Sequence, residues 1–246
     1  MPARLQPWPQ ALAWGLVSLV IGSLHPGAAS AGPETAESCP PTAVLAVIPP
    51  TPGAGAGQAQ VASPSTQGDY RHRLSGTSHG WPRRDRWCVW VEPAQAEGPA
   101  ARWDQAWLEA VETALASWAE LLPIERVKDP EQAQVRILRR RPPLRGGRAS
   151  HGRAELQLAV VKRDGGRQLE PRVVVQISPG QRPSAMQATA LHELGHAFGL
   201  WGHSEAAGDA MAAVPGAIPV LELSPRDRAT FFWLQQQPGL GPAPTP

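Results

Sequence analysis

The segment from His192 to His203, HELGHAFGLWGH, constrains this 246-residue chain more than any other feature. Each helical residue advances by about 100°, so His192 and His196 lie about 40° apart and one turn from each other, with Glu193 in the same sector. Two imidazole rings and one carboxylate therefore face one side of a helix. Gly199 lets the backbone leave helical geometry, because glycine reaches positive φ at little cost, so His203 can turn back toward the pair.

Three imidazole nitrogens in this arrangement predict a zinc site. They fill three corners of a tetrahedron and leave the fourth open for water, which distinguishes a catalytic zinc site from a structural one. Zinc lowers the pKa of its bound water to about 7 and polarises a carbonyl group. We therefore predict His192, His196 and His203 as ligands of one catalytic zinc ion. Glu193 is predicted as the catalytic base, which takes the proton of the water and later passes it to the leaving amine.

The folded part of the chain is predicted to contain strands on both sides of one long helix. That helix spans Trp103 to Leu122, where apolar residues recur at helical spacing and the tryptophans are interpreted as core packing. The strand-like runs are rich in β-branched and aromatic residues and are bounded by Pro, Gly and Asp. They are Trp87 to Val91, Ile124 to Lys128, Val135 to Arg139, Glu155 to Val161 and Arg172 to Ser178.

Two further helices are expected in the C-terminal third of the chain. The first carries the histidines; it should begin at Ser184, which with Gln187 matches a capping box, and should end near Gly199. The second should open at Ser224-Pro225, with proline at its first helical position, and continue to about Gln236. The resulting order is strand, helix, four strands and two helices.

The N-terminal 31 residues are interpreted as a signal peptide. They contain an apolar stretch from Ala11 to Leu24 and a small-residue cleavage site at Ala29-Ser30-Ala31. An uncleaved membrane anchor is the alternative, because the basic region is weak. In both cases we expect the rest of the chain to be exported, either secreted or held in the cell envelope or periplasm.

Composition divides the exported chain into three parts. Residues 32–80 are rich in Pro, Gly, Ala, Ser and Thr and are interpreted as a leader or linker. The folded domain is expected over residues 81–237, followed by a flexible tail at 238–246. Val44 to Ile48 is an apolar run inside the leader. It either adds a strand to the edge of the domain or is merely an apolar part of the leader.

Cysteine content and charge constrain the function little. The two cysteines, Cys39 and Cys88, either pair in an oxidising compartment or behave as separate small hydrophobic residues. A formal net charge of +2 and short arginine runs give no reason to expect nucleic-acid binding. We expect a monomer that acts on a peptide or protein. Nothing in the sequence indicates whether calcium binds.

The run HExxHxxGxxH from His192 to His203 resembles the zinc signature of the metzincin metalloproteases. Met211, eight residues after His203, stands where these proteins have their Met-turn, and Ser204 with this spacing is most similar to the matrixin branch. The chain also resembles small bacterial matrixin-like proteases. The resemblance implies a zinc-dependent endopeptidase, in which Met211 is an apolar floor beneath the metal.

The resemblance also implies the fold and the mode of substrate binding. It implies a mixed α/β (α+β) catalytic domain with three helices and a twisted, mixed sheet of five strands. Glu155 to Val161 would be an antiparallel edge strand that pairs with an extended peptide. The apolar residues Ala217 to Leu221 would line the pocket next to the scissile bond, so we expect an apolar side chain just after the cleaved bond.

Three features depart from the matrixin pattern. Ala212 and Ala213 follow Met211, where matrixins have Tyr and Pro. Cys39 lacks the flanking sequence of an inhibitory Cys-switch. The remaining histidines do not form a second zinc site and are interpreted as non-ligands: His25, His72, His79 and His151.

A different class of function is also compatible with three histidine ligands. The alternative is a catalytically silent, secreted binding module that zinc merely stabilises. Glu193 discriminates between the two, because a purely structural zinc site does not need a base beside its first ligand. The sequence therefore favours the peptidase.

Overall fold

The computed structural model describes residues 39–53, 68–95, 97–144, 146, 150–163 and 166–244. These residues belong to one compact unit that spans residues 37–246. The expected signal peptide or anchor at residues 1–31 lies outside the described residues. Within the described part of the chain, no helix is both long and apolar enough to cross a membrane.

A six-stranded mixed sheet forms the centre of the fold. Its strands are β1 (Val44–Ile48), β2 (Trp87–Val91), β3 (Ile124–Arg126), β4 (Val135–Leu138), β5 (Gly152–Arg163) and β6 (Gly166–Ile177). They lie in the order β1-β5-β6-β4-β2-β3. The strands β6, β4, β2 and β3 are parallel, whereas β5 is antiparallel to both of its neighbours. The expected mixed α/β class is confirmed, and the expected number of strands was one too few.

The extra strand is β1, and it changes the edge of the sheet. Val44–Ile48 pairs antiparallel with β5, from Val161 opposite Val44 to Leu158 opposite Ile48. The expectation that Glu155 to Val161 is the edge strand was therefore only partly right. The strand is antiparallel, but its C-terminal half lies inside the sheet. Composition could not reveal this pairing, because β1 and β5 are far apart in sequence.

Among the described residues, three α-helices accompany the sheet: α1 (Ala101–Ala119), α2 (Pro183–Ala197) and α3 (Pro225–Gln235). α1 and α2 pack against each other, and α2 also contacts β5 and β6. The tryptophans Trp107 and Trp118 are fully buried, as expected from the apolar stripe of α1, whereas Trp103 is exposed. The indole N–H of Trp118 donates to the carbonyl oxygen of Leu191 at 3.0 Å, so α1 is joined to α2 directly before the first site histidine.

The helix α2 begins differently from the expected capping box. Arg182 is its N-cap, Pro183 occupies the first turn, and no side chain caps the helix. Instead, the side-chain amide of Gln187 donates to the carbonyl oxygen of Leu221 at 3.2 Å. Proline fits the first helical turn because its missing N–H would have no partner there.

Residues before Trp81 contribute to the core. The described segment 68–75 contains Tyr70, which is fully buried, and Leu74, which is nearly so; both belong to the main hydrophobic cluster. Cys39 and Cys88 form a disulfide bond, which resolves the alternative that the sequence left open. The bond joins the start of the described chain to the parallel strand β2.

Candidate metal centre

Three histidines converge at the C-terminal end of α2. His192 and His196 lie one turn apart on the helix, and His203 comes from the irregular segment that follows it. One ring nitrogen from each lies within 4.8 Å of the other two, and Nε2 of His196 is 3.2 Å from Nε2 of His203. Of the described residues, this group alone has the composition and geometry to hold a metal ion. The structure thus brings together all three of the predicted ligands.

Backbone carbonyl groups orient two of the imidazole rings. Nδ1 of His192 lies 2.8 Å from the carbonyl oxygen of Ala210, and Nδ1 of His196 lies 2.7 Å from that of Leu200. A carbonyl oxygen only accepts, so Nδ1 carries the proton in both rings. The lone pair is then on Nε2, the ligand form that outer-shell hydrogen bonds select at metal sites. Trp201 stacks on His196 and further restricts that ring.

The histidines are also held in their neutral form. Burial, together with the neighbouring imidazole of His192, lowers the pKa of His196 to about 3. Burial likewise lowers the pKa of His192 and of His203. A metal ion can therefore bind at neutral pH without displacing protons from the ring nitrogens that hold it. This protonation state and the orientation of the rings both fit a divalent ion that prefers imidazole.

The turn that returns His203 to the helix depends on Gly199. Its φ is +112°, a conformation that side-chain-bearing residues rarely adopt. The preceding residue, Phe198, is the C-cap of α2, and the N–H of Leu200 donates to the carbonyl oxygen of Gly195 at 2.9 Å. The predicted role of Gly199 as the point where the chain leaves the helix agrees with this geometry.

Met211 is completely buried against the histidine-bearing helix. Its sulfur packs on Gly195, where a Cβ atom would lie 2.2 Å away, and Gly195 directly precedes His196. The carbonyl oxygen of Met211 accepts from the N–H of Ser204 at 2.8 Å. Met211 therefore links α2 to the segment that follows His203.

The carboxylate of Asp227 anchors the Ala210-Met211 segment. It accepts hydrogen bonds from the N–H of Ala210 at 2.8 Å and from the hydroxyl of Tyr70 at 2.7 Å. It also accepts from the N–H of Ser224 at 2.9 Å, which completes a capping box at the start of α3. Because Ala210 in turn orients His192, the fully buried Asp227 connects α3 to one of the three candidate metal ligands.

Asp209 stabilises the neighbouring turn in a similar way. Its carboxylate accepts from the hydroxyl groups of Ser204 and Ser224 and from Nε of Arg226 at 3.0 Å. Ser204 directly follows the candidate ligand His203. The loop from His203 to Met211 is therefore closed by a buried carboxylate.

Glu193 is buried beside the histidines but is not part of the group that can hold the metal. Burial raises the pKa of Glu193 to about 7, although a hydrogen bond from the backbone N–H of Ala154 and the charge of Arg153 oppose this effect. Gly152, at the start of β5, allows the close approach: a Cβ atom there would lie 2.7 Å from Oε1 of Glu193. The carboxyl group is thus placed between α2 and the start of β5, with a pKa suited to proton transfer near neutral pH.

A cavity of about 650 Å³ opens beside Glu193 and His192. The start of β5 and the preceding residues Ser150 and His151 line it on one side. The loop after Met211 lines it on the other side, through Pro215, Gly216, Ile218, Pro219 and Val220. Three residues of the expected apolar wall lie there, whereas Ala217 and Leu221 do not.

Asp227, Tyr70 and Asp209 are site residues that sequence patterns did not reveal. Asp227 had a signal, since it stands three residues after Ser224 at a predicted helix start, the spacing of a capping box. Tyr70 lies at the end of a segment that composition assigned to the leader. Asp209 had no local pattern of its own.

No protein-family model matches the chain, and no curated protein matches it either.

Proposed function

We propose that this protein is an exported zinc-dependent endopeptidase of the metzincin type, close to the matrixin branch. The observation that carries the proposal is the position of Glu193. A buried carboxyl group lines the cavity beside the three histidines and is not one of the group that could hold a metal ion. A site that held a metal only for stability would not need such a group.

His192, His196 and His203 would hold the metal, and a set of three imidazoles with short mutual distances is typical of catalytic zinc. Zinc bound there supplies a Lewis acid that polarises a carbonyl group and makes water acidic near neutral pH. The main-chain carbonyl oxygens of Ala210 and Leu200 keep two of the ligands in the required tautomer.

Glu193 performs the proton transfers of peptide hydrolysis. Its carboxylate takes a proton from the attacking water as the new C–O bond forms at the scissile carbonyl. It then gives that proton to the leaving nitrogen as the C–N bond breaks. The backbone N–H of Ala154 donates a hydrogen bond to the carboxylate of Glu193 and so holds this group in place during both steps.

The substrate is proposed to bind as an extended peptide between two elements that line the cavity. The start of β5, from Gly152, can pair with the peptide main chain by β-augmentation. The apolar residues Ile218, Pro219 and Val220 would contact the side chain just after the scissile bond.

The test is hydrolysis of an unfolded protein, casein, by wild type and by Glu193→Gln, with zinc content measured for both. We expect chelator-sensitive cleavage by wild type and a loss of roughly 10²- to 10⁴-fold in Glu193→Gln, which keeps its zinc. Glu97→Gln, a surface change, is the matched control. Zinc-loaded wild type that leaves casein intact would point instead to the silent binding module.

A further inference from the structure

The leader of this chain occupies part of the sheet edge that leads to the proposed site. β5 is twelve residues long and begins at Gly152, beside Glu193. β1 pairs with its distal half, where Ile48 lies opposite Leu158 and Val44 opposite Val161. The stretch Gly152–Gln157 lies beyond the end of β1, on the side of the cavity.

β1 is fixed at both of its ends. Before it, the disulfide between Cys39 and Cys88 ties the chain to β2. After it, the hydroxyl groups of Thr51 and Ser78 form a hydrogen bond of 2.7 Å. The carbonyl oxygen of Thr51 also accepts a hydrogen bond from the backbone N–H of Ser78 at 2.9 Å. These attachments hold β1 close to β5 at both of its ends.

Side-chain packing adds to these attachments. Ile48 packs on a small apolar cluster formed by Leu158, Val160 and Leu169. Displacing β1 would expose this cluster to water as well as break backbone hydrogen bonds. A peptide substrate therefore does not readily compete for the distal half of β5.

The direction of a bound peptide determines which of its residues β1 would prevent from pairing with β5. A peptide antiparallel to β5 runs in the same direction as β1, along the same side of β5. Its residues before the scissile bond extend away from Glu193 and toward Ile48. The six residues Gly152–Gln157 span roughly 20 Å at about 3.4 Å per residue. Pro49 and Pro50, which follow β1, lack the N–H groups needed to continue a ladder.

We propose that β1 limits the length of peptide that the site recognises on the N-terminal side of the scissile bond. This inference rests on the proposed peptidase function and names a determinant of its specificity. The residues that pair with Gly152–Gln157 contribute to binding, and residues further from the scissile bond do not. The substrate class is thus peptides or unfolded segments recognised over a short stretch.

The experiment uses acetylated Ala/Val peptides of two, four, six and eight residues that end in a hydroxamate, a zinc-binding group that fixes their register. Calorimetry gives the affinity of each for the zinc-loaded full chain. We expect a gain of roughly two- to tenfold for each added hydrogen-bonded pair, up to about six residues. The eight-residue peptide should gain nothing more.

The variant Ala46→Pro/Val47→Pro removes the β1 ladder. N–H groups of successive residues point to opposite sides of a strand, so the N–H group of either Ala46 or Val47 faces β5. Ala46→Ser/Val47→Thr keeps both N–H groups and is the matched control. Hydrogen exchange of those amides between Leu158 and Val161 that face β1 shows whether β1 has been released, and Cys39→Ser/Cys88→Ser is a second route to release. With those amides exposed, the eight-residue peptide should bind more tightly than the six-residue peptide.

Three results would overturn the inference: a further gain at eight residues in wild type, no gain in a variant whose β5 amides are exposed, or no dependence on length at all. The casein assay separates this inference from the proposed function. Casein cleavage without a length limit retains the peptidase and rejects the role of β1. A length limit in a protein that leaves casein intact retains the role of β1 in a peptide-binding groove and rejects the peptidase.

Discussion

The carbonyl oxygen of Ala210 accepts a hydrogen bond from Nδ1 of His192, 18 residues earlier, over 2.8 Å. Ala210 is itself held through its N–H by the carboxylate of Asp227. A residue of α3 therefore controls the tautomer of a candidate metal ligand on α2 through one intervening peptide group. This connection means that changes remote from the histidines should alter metal affinity.

Asp227→Asn tests this connection. The variant places an amide N–H₂ group among the donors of Tyr70, Ala210 and Ser224, so at least one buried donor loses its acceptor. We expect a loss of about 3 kcal/mol in the free energy of unfolding. Zinc affinity should fall roughly 10- to 100-fold, as is usual for an outer-shell partner. Urea unfolding and competition with a zinc chelator measure the two effects.

Tyr70→Phe is the matched control for this variant, because it removes one donor and leaves Ala210 anchored. We expect a loss of about 1 kcal/mol in the free energy of unfolding and a zinc affinity close to that of wild type. Equal losses of zinc affinity in the two variants would contradict the proposed path through Ala210.

The histidine cluster was predictable from sequence, and the reason is its locality. His192 and His196 are related by helical periodicity, and Gly199 marks the turn that brings His203 back, so spacing alone defines the group. The positions of Ile48 and Tyr70 were not predictable in this way. Each depends on a contact with a distant part of the chain, and local composition resembles that of an unstructured linker.

Gly199→Ala should destabilise the turn between α2 and His203. The φ of +112° is unfavourable for alanine, and the added Cβ atom would meet Cδ2 of Leu234 at 3.0 Å and the carbonyl oxygen of Pro82 at 3.2 Å. We expect a loss of about 2 kcal/mol in the free energy of unfolding, together with weaker zinc binding. Thermal unfolding with and without zinc measures both.

Gly208→Ala is the comparison for this change. A Cβ atom at Gly208 would meet nothing within 4 Å, and the φ of Gly208 is not positive. The free energy of unfolding should therefore change by no more than about 0.5 kcal/mol. If the two alanine variants unfolded at the same temperature, the conformation of Gly199 would not matter to the turn.

Glu170→Gln should remove a component of stability that depends on pH. Burial raises the pKa of Glu170, but the guanidinium groups of Arg84, Arg172 and Arg163 outweigh it, so the net pKa lies below the ordinary value of 4.5. A carboxyl group whose pKa is lower in the folded state stabilises the protein at pH values above its pKa in the unfolded chain. This contribution is lost as the pH falls through its pKa in the folded protein. We therefore expect the variant to be about 3 kcal/mol less stable at pH 7.

Urea unfolding from pH 7 to pH 3 tests both the size and the sign of this effect. The difference between wild type and Glu170→Gln should shrink below about pH 4.5, where the carboxylate becomes protonated in the unfolded chain. Glu131→Gln is the control. The side chain of Glu131 is 81% exposed, and its Oε1 lies as far as 3.8 Å from Nη1 of Arg136, so this ion pair should contribute little to stability. A difference that grew toward acidic pH would contradict the assigned direction.

Ile218→Lys should change which side chain the proposed site accepts after the scissile bond. Ile218 is 82% exposed yet lines the cavity beside Glu193, so it can be charged at little cost to stability. A lysine there would attract acidic side chains and disfavour large apolar ones. We expect a shift of roughly tenfold in the ratio of cleavage efficiencies, which mass spectrometry of a cleaved peptide library measures. Val214→Lys, at a position that is also exposed but does not line the cavity, should leave the preference apolar. If both lysine variants cut the same bonds as wild type, this loop would not form the wall of the specificity pocket.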